Sequence, residues 1–144
     1  MKTKKLLLIT PILLLVMGMM GGCEDIIPQY EIYENHNISA CGVDDPLVNI
    51  EWLAKFCHER QKAYFVEIIL YKNKISDDNH IVINTKTKYI EGQSPSPIFT
   101  TSVYECNGNL LLFQGTEGLT PDGWDEFFKN NENVTLIWSV KLKK

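Results

Sequence analysis

The chain has 144 residues, 44% of them hydrophobic and 22% charged, with a formal net charge of −4. That is ordinary globular composition with room for one domain. Arg60 is the only arginine and no basic run occurs, so the clustered Lys and Arg that neutralise phosphate are missing and nucleic acid is excluded as a partner.

Met1 to Lys5 (MKTKK) give a basic start, and Leu6 to Met17 an apolar stretch interrupted only by Thr10 and Pro11. Gly18 to Gly22 (GMMGG) complete the layout of a secretory signal peptide over residues 1–22. Leu6 to Gly22 is 17 residues with one proline and three glycines. A spanning helix needs ~20 unbroken apolar residues. Gly21-Gly22-Cys23 resembles a bacterial lipobox, with Met20 where leucine is usual. The resemblance implies cleavage before Cys23 and acylation of its sulfur; the alternative is an ordinary signal peptide with a free Cys23. Each buried acyl methylene contributes ~0.8 kcal/mol, so two or more chains anchor stably. Membrane contact is therefore expected through lipid on Cys23 only.

Cleavage removes Lys2, Lys4 and Lys5 from 14 basic residues, leaving 11 against 18 acidic ones, a net charge of −7. Such a globule is repelled by anionic lipid. Glu24 and Asp25 directly after the cysteine resemble a short form of the acidic surface-export signal of Bacteroidetes lipoproteins. That implies an outer-membrane protein facing the surface over the periplasm.

Residues 23–40 read as the lipidated cysteine and an extended tether, with Pro28, the run Asn35-His36-Asn37 and no sustained period. Residues 41–144 read as a single globular domain. Asp45 is placed to cap a helix and Pro46 suits its first position. Leu47, Ile50, Leu53, Ala54 and Cys57 then form one apolar stripe, predicting a helix over 46–61. Strands are predicted over 63–71, 80–85, 98–106, 109–114 and 134–142. Asn107-Gly108 is read as a type I′ hairpin turn between the third and fourth. Residues 124–129 are predicted as a short helical turn. The sum is an α+β domain: one N-terminal helix packed on an antiparallel meander sheet of about five strands.

Cys41-Gly-Val-Asp-Asp-Pro-Leu47 with Ile50-Glu-Trp52-Leu53, then Tyr104-Glu-Cys106-Asn-Gly108 and Leu136-Ile137-Trp138, resemble a family of small Bacteroidetes lipoproteins of uncharacterised function. The resemblance covers most of residues 41–140. It implies this fold and location and supplies no activity.

Three thiols remain beyond Cys23 in an oxidising compartment, allowing one disulfide. Cys57 lies ~18 Å along the helix from its cap. Cys41 can reach back ~14 Å at most. In the meander the third strand returns to the helix start, so Cys41–Cys106 is the predicted bond, with Cys57 a buried small hydrophobe.

No catalytic set, metal set or cofactor is implied by the sequence. Cys57 and His58 are adjacent on a helix and point apart, which denies the thiol a base. His36, His58 and His80 are scattered, against zinc. Asp77-Asp78-Asn79-His80 reads as a turn over a calcium loop. Glu117, Asp122, Asp125 and Glu126 read as capping residues over a carboxylate pair. Trp124, Phe127 and Phe128 are the candidate partner-binding residues. Phe65, Ile69, Tyr71, Leu111, Phe113 and Ile137 are expected on the sheet face away from the helix. Either residues 119–128 fold over them or they form an exposed apolar patch. The leading expectation is a non-enzymatic binding module for an unknown protein or glycan partner. A small hydrolase or enzyme-inhibitor-like protein using the 115–126 loop, and a structural component of an envelope complex, are the alternatives.

Overall fold

The structure, a computed structural model, describes residues 27–88, 97–115 and 120–143. Cys23, the signal segment and Glu117 lie outside the described residues. The chain runs β1 (Tyr30–Glu34), β2 (Ser39–Ala40), β3 (Val43–Asp44), α1 (Pro46–Asn49), α2 (Glu51–Arg60), β4 (Phe65–Asn73), β5 (Asn79–Lys86), β6 (Phe99–Glu105), β7 (Leu110–Gln114), α3 (Trp124–Asn130) and β8 (Asn131–Leu142). The main sheet is antiparallel and six-stranded, ordered β1-β8-β4-β5-β6-β7, and β2-β3 form a separate small ribbon.

This corrects the expectation of one N-terminal helix on a five-stranded meander. The molecule is mostly antiparallel sheet with small helices of 4, 10 and 7 residues. Tyr30–Glu34, expected as tether, is the sixth strand, pairing in register from Tyr30↔Leu142 to Glu34↔Trp138. The expected 46–61 helix is two helices, because Ile50 is extended (φ −101°, ψ 101°) between them. The Ile50 N–H donates to the Pro46 carbonyl and its own carbonyl accepts from Leu53 and Ala54, so one residue ends α1 and starts α2. The apolar stripe survives the break: Leu47, Ile50, Leu53 and Cys57 are all buried. Asp45 precedes α1 in a left-handed conformation (φ 47°) and makes no side-chain cap. Its carboxylate instead meets the His36 Nδ1 at 2.9 Å.

The core lies between α1–α2 and one sheet face, where Val66, Ile68, Leu70, Ile81, Ile83, Trp138 and Val140 are buried. Ile137 joins this core. The β4–β8 register shifts between Ile68 and Ile69, and the extra residue turns Ile137 away from the outer face that strict alternation assigns to it. A second shift between Val103 and Tyr104 pairs Phe113 with Ser102 and Leu112 with Val103. Leu112, not Phe113, therefore continues the outer-face row Ile69–Val82–Val103. Farther along that face the row turns polar. Asn84 Nδ2 donates to Glu67 Oε1 at 2.8 Å and Thr101 Oγ1 donates to Asn84 Oδ1 at 2.7 Å. Half of the outer face is thus a solvated sheet surface, not a second core.

Candidate functional site

Cys41 and Cys106 form the predicted disulfide, with Cα atoms 5.5 Å apart. Local backbone chemistry delivers both sulfurs. Cys41 (φ 58°) and Gly42 (φ 75°) occupy the two turn positions between β2 and β3, and two positive-φ residues are what a type I′ hairpin requires. The β6–β7 hairpin is different from expectation. Only Gly108 has positive φ (90°), and its N–H donates to the Glu105 carbonyl at 2.9 Å, giving a three-residue loop over Cys106–Gly108. Trp52 on α2 locks this corner. Its indole N–H donates to the Cys106 carbonyl at 2.9 Å, its ring sits 5.3 Å from that of Tyr104, and a Cβ at Gly108 would stand 3.0 Å from it. The remaining thiol, Cys57, is buried beneath α2, and burial pushes its pKa up to about 12, the state of an inert core thiol.

Trp124, Phe127 and Phe128 come together, but as packing first. Trp124 meets Phe128 at 4.9 Å between ring centroids, Phe128 stands edge-on to Tyr71 at 5.5 Å, and Phe127 stands edge-on to His80 at 5.3 Å. All three are half-buried. They clamp α3 onto the Tyr71–His80 end of the outer face, so residues from 124 onward do fold down on it.

The clamp leaves a cleft of about 360 Å³ between α3 and the sheet, lined by Asn73, His80, Leu111, Leu112, Gly123, Glu126, Phe127, Asn130 and Asn131. A larger depression of about 560 Å³ adjoins it through His80, with Asp77, Asp78, Glu105 and the disulfide on its walls. Both sizes suit a small ligand. Asn131 is the notable wall residue. It is only 5% exposed, its amide nitrogen donates to the Phe127 carbonyl at 2.8 Å, and its Oδ1 has no hydrogen-bond partner. His80 Nδ1 is likewise buried and unpartnered. Of three buried side-chain polar atoms without a partner among the described residues, Trp138 Nε1 lies in the core, and the other two belong to residues that line this cleft, where a ligand could satisfy them.

Of the described members of the acidic group, Glu126 is on the wall of the smaller cleft, and Asp122 and Asp125 are exposed and line neither depression. Asp77–His80 form the expected turn and enter β5. Asn73 Oδ1 accepts from the Ile75 and Ser76 amides, and Lys72 pairs with Asp77 at 2.8 Å. Among the described residues no group of three or more His, Cys, Asp or Glu is arranged to hold a metal ion, and no helix is long and apolar enough to cross a membrane. Sequence reading passed over Asn73, Asn130 and Asn131. The visible signal was the run Asn130-Asn131-Glu132-Asn133, in which α3 gives way to β8 with no loop between them.

No protein-family model, curated protein or solved structure matches this chain.

Proposed function

We propose that this protein is a lipid-anchored cell-envelope binding module, held by acyl chains on Cys23 at the outer membrane and facing the surface, whose ligand site is the cleft beneath α3. The signal segment, the lipobox-like Gly21-Gly22-Cys23 and the resemblance to small Bacteroidetes lipoproteins support the location. The single observation that carries the site is the unpartnered Oδ1 of the buried Asn131 on the cleft wall. Among the described lining residues there is no Ser, Thr, Tyr or Lys, and the cysteines at the adjoining depression are joined in the disulfide, which supports a binding role. The test is to mix the purified full chain with the small-molecule fraction of a cell extract and follow backbone amide NMR shifts. Saturable shifts at His80, Phe127 and Asn131 are expected, and their absence overturns the site. Fatty-acid labelling lost in Cys23→Ala checks the anchor.

One observation favours the hydrolase alternative: Glu126 and His80, an acid and a base, line the same cleft. It requires turnover of model esters or glycosides that falls at least tenfold in both Glu126→Gln and His80→Gln.

A further inference from the structure

We infer that the paired depressions at His80 take a cationic, amine-bearing ligand, a linear polyamine. This rests on the reading of the α3 cleft as a ligand site and names the chemistry that fits it. Asn131 decides the hydrogen-bond sense. Its amide nitrogen is committed to the Phe127 carbonyl, which can only accept, so the atom left unsatisfied is the acceptor oxygen. The ligand must therefore bring a donor into a buried position. An ammonium group is three donors and no acceptor.

Charge points the same way. Glu126 stands on the wall of the smaller cleft, Asp78 and Glu105 on the larger, and no lysine or arginine is among the described residues that line either. Phe127 adds an aromatic ring on the wall, a surface that attracts cations. Asp77, on the wall of the larger depression, is already paired with Lys72 at 2.8 Å, an amine–carboxylate contact of the kind the ligand would make with Asp78. A bare divalent ion is a poorer fit, since the carboxylates are spread along two walls and do not converge. A neutral saccharide would supply hydroxyl donors to the same acceptors but carries no positive charge to offset the carboxylates. Two depressions meeting at one residue suit a chain with an amine toward each end.

Spermidine titrated into the full lipidated chain in neutral detergent, read by amide NMR shifts, is the test. A neutral trisaccharide, Mg²⁺ and NaCl of matched ionic strength are the comparison probes. Saturable spermidine shifts confined to His80, Glu105, Phe127 and Asn131 are expected. Affinity should fall about three- to fivefold in Glu126→Gln and in Asp78→Asn, both at exposed positions whose replacement leaves the fold intact. Equal shifts with NaCl, displacement of spermidine by Mg²⁺ at equal charge, or affinity unchanged in both variants overturns the amine. Shifts at these residues with the trisaccharide or the cell-extract fraction, but not with spermidine, overturn the amine and leave the cleft standing. No shift there with any probe overturns both.

Discussion

His36 sits between two carboxylates, with Nδ1 2.9 Å from Asp45 and Nε2 3.3 Å from Glu34. Its pKa is raised above the ordinary value, first by the hydrogen bond to Asp45 and then by that to Glu34. The folded value thus exceeds the unfolded one, so the stabilisation is complete below pH ~6.5 and is lost as pH rises through the folded value. This one ring ties the end of β1 to the residue that starts α1. We expect β1 amides to be more protected from hydrogen exchange in the wild type than in His36→Gln at pH 5.5, after correction for intrinsic rates. The difference should vanish by pH 9. Equal protection at both pH values would show that the contact carries nothing. The carboxylates were easy to see in sequence. Their meeting at His36 was not, because the left-handed Asp45 turns its side chain away from the helix it was expected to cap.

At the scale of elements, legibility followed the range of the forces involved. The helix stripe, the five strands β4 to β8 and α3 were readable because period and turn residues are local signals. β1 was not, since Tyr30–Glu34 gains its place only by pairing with the last strand, over 100 residues away, and nothing nearby announces that partner. Ile137 and Phe113 were assigned to the wrong face for a related reason: a strand's alternation is readable, but a bulge that resets it is fixed by the neighbouring strand. The cleft was hardest. Phe127 and Glu126 were singled out, whereas Asn131 becomes unusual only once burial removes its water. The disulfide was legible because topology alone brings its ends together. A bond closing a loop of 65 residues stabilises by roughly 4 kcal/mol in the loop-entropy model. Reduction, or Cys41→Ser with Cys106→Ser, should lower the urea midpoint by up to that amount in free energy. Trp52 emission should shift to the red as the corner over Gly108 loosens. An unchanged midpoint would mean that the Trp52 and Asn79 contacts hold the corner without the bond; Asn79 Oδ1 accepts from the Cys41 amide at 2.8 Å.

The whole molecule has two unlike ends. β8 is 12 residues long, about 36 Å from end to end. At its Leu142 end it pairs with Tyr30, where the chain arrives from Cys23. At its Asn131 end it pairs with Asn73 beside the cleft, and Tyr71, His80 and Glu105 share that end across β4, β5 and β6. An anchor at Cys23 therefore enters one end of the sheet while the cleft opens at the other. The seven steps from Cys23 to Tyr30 span at most ~25 Å, less than the length of β8. With the proposed cleavage before Cys23, the remaining chain would carry −7, which would further discourage the domain from lying against anionic lipid. In nanodiscs carrying a paramagnetic headgroup lipid, amides of Phe65, Lys86 and Lys141 should broaden more than those of His80, Glu105 and Glu126. Broadening falls with the sixth power of distance, so even a tumbling tether leaves the anchored end the more affected. Equal broadening would mean that the domain lies flat. The cleft would then lie beside the membrane instead of at the far end from it.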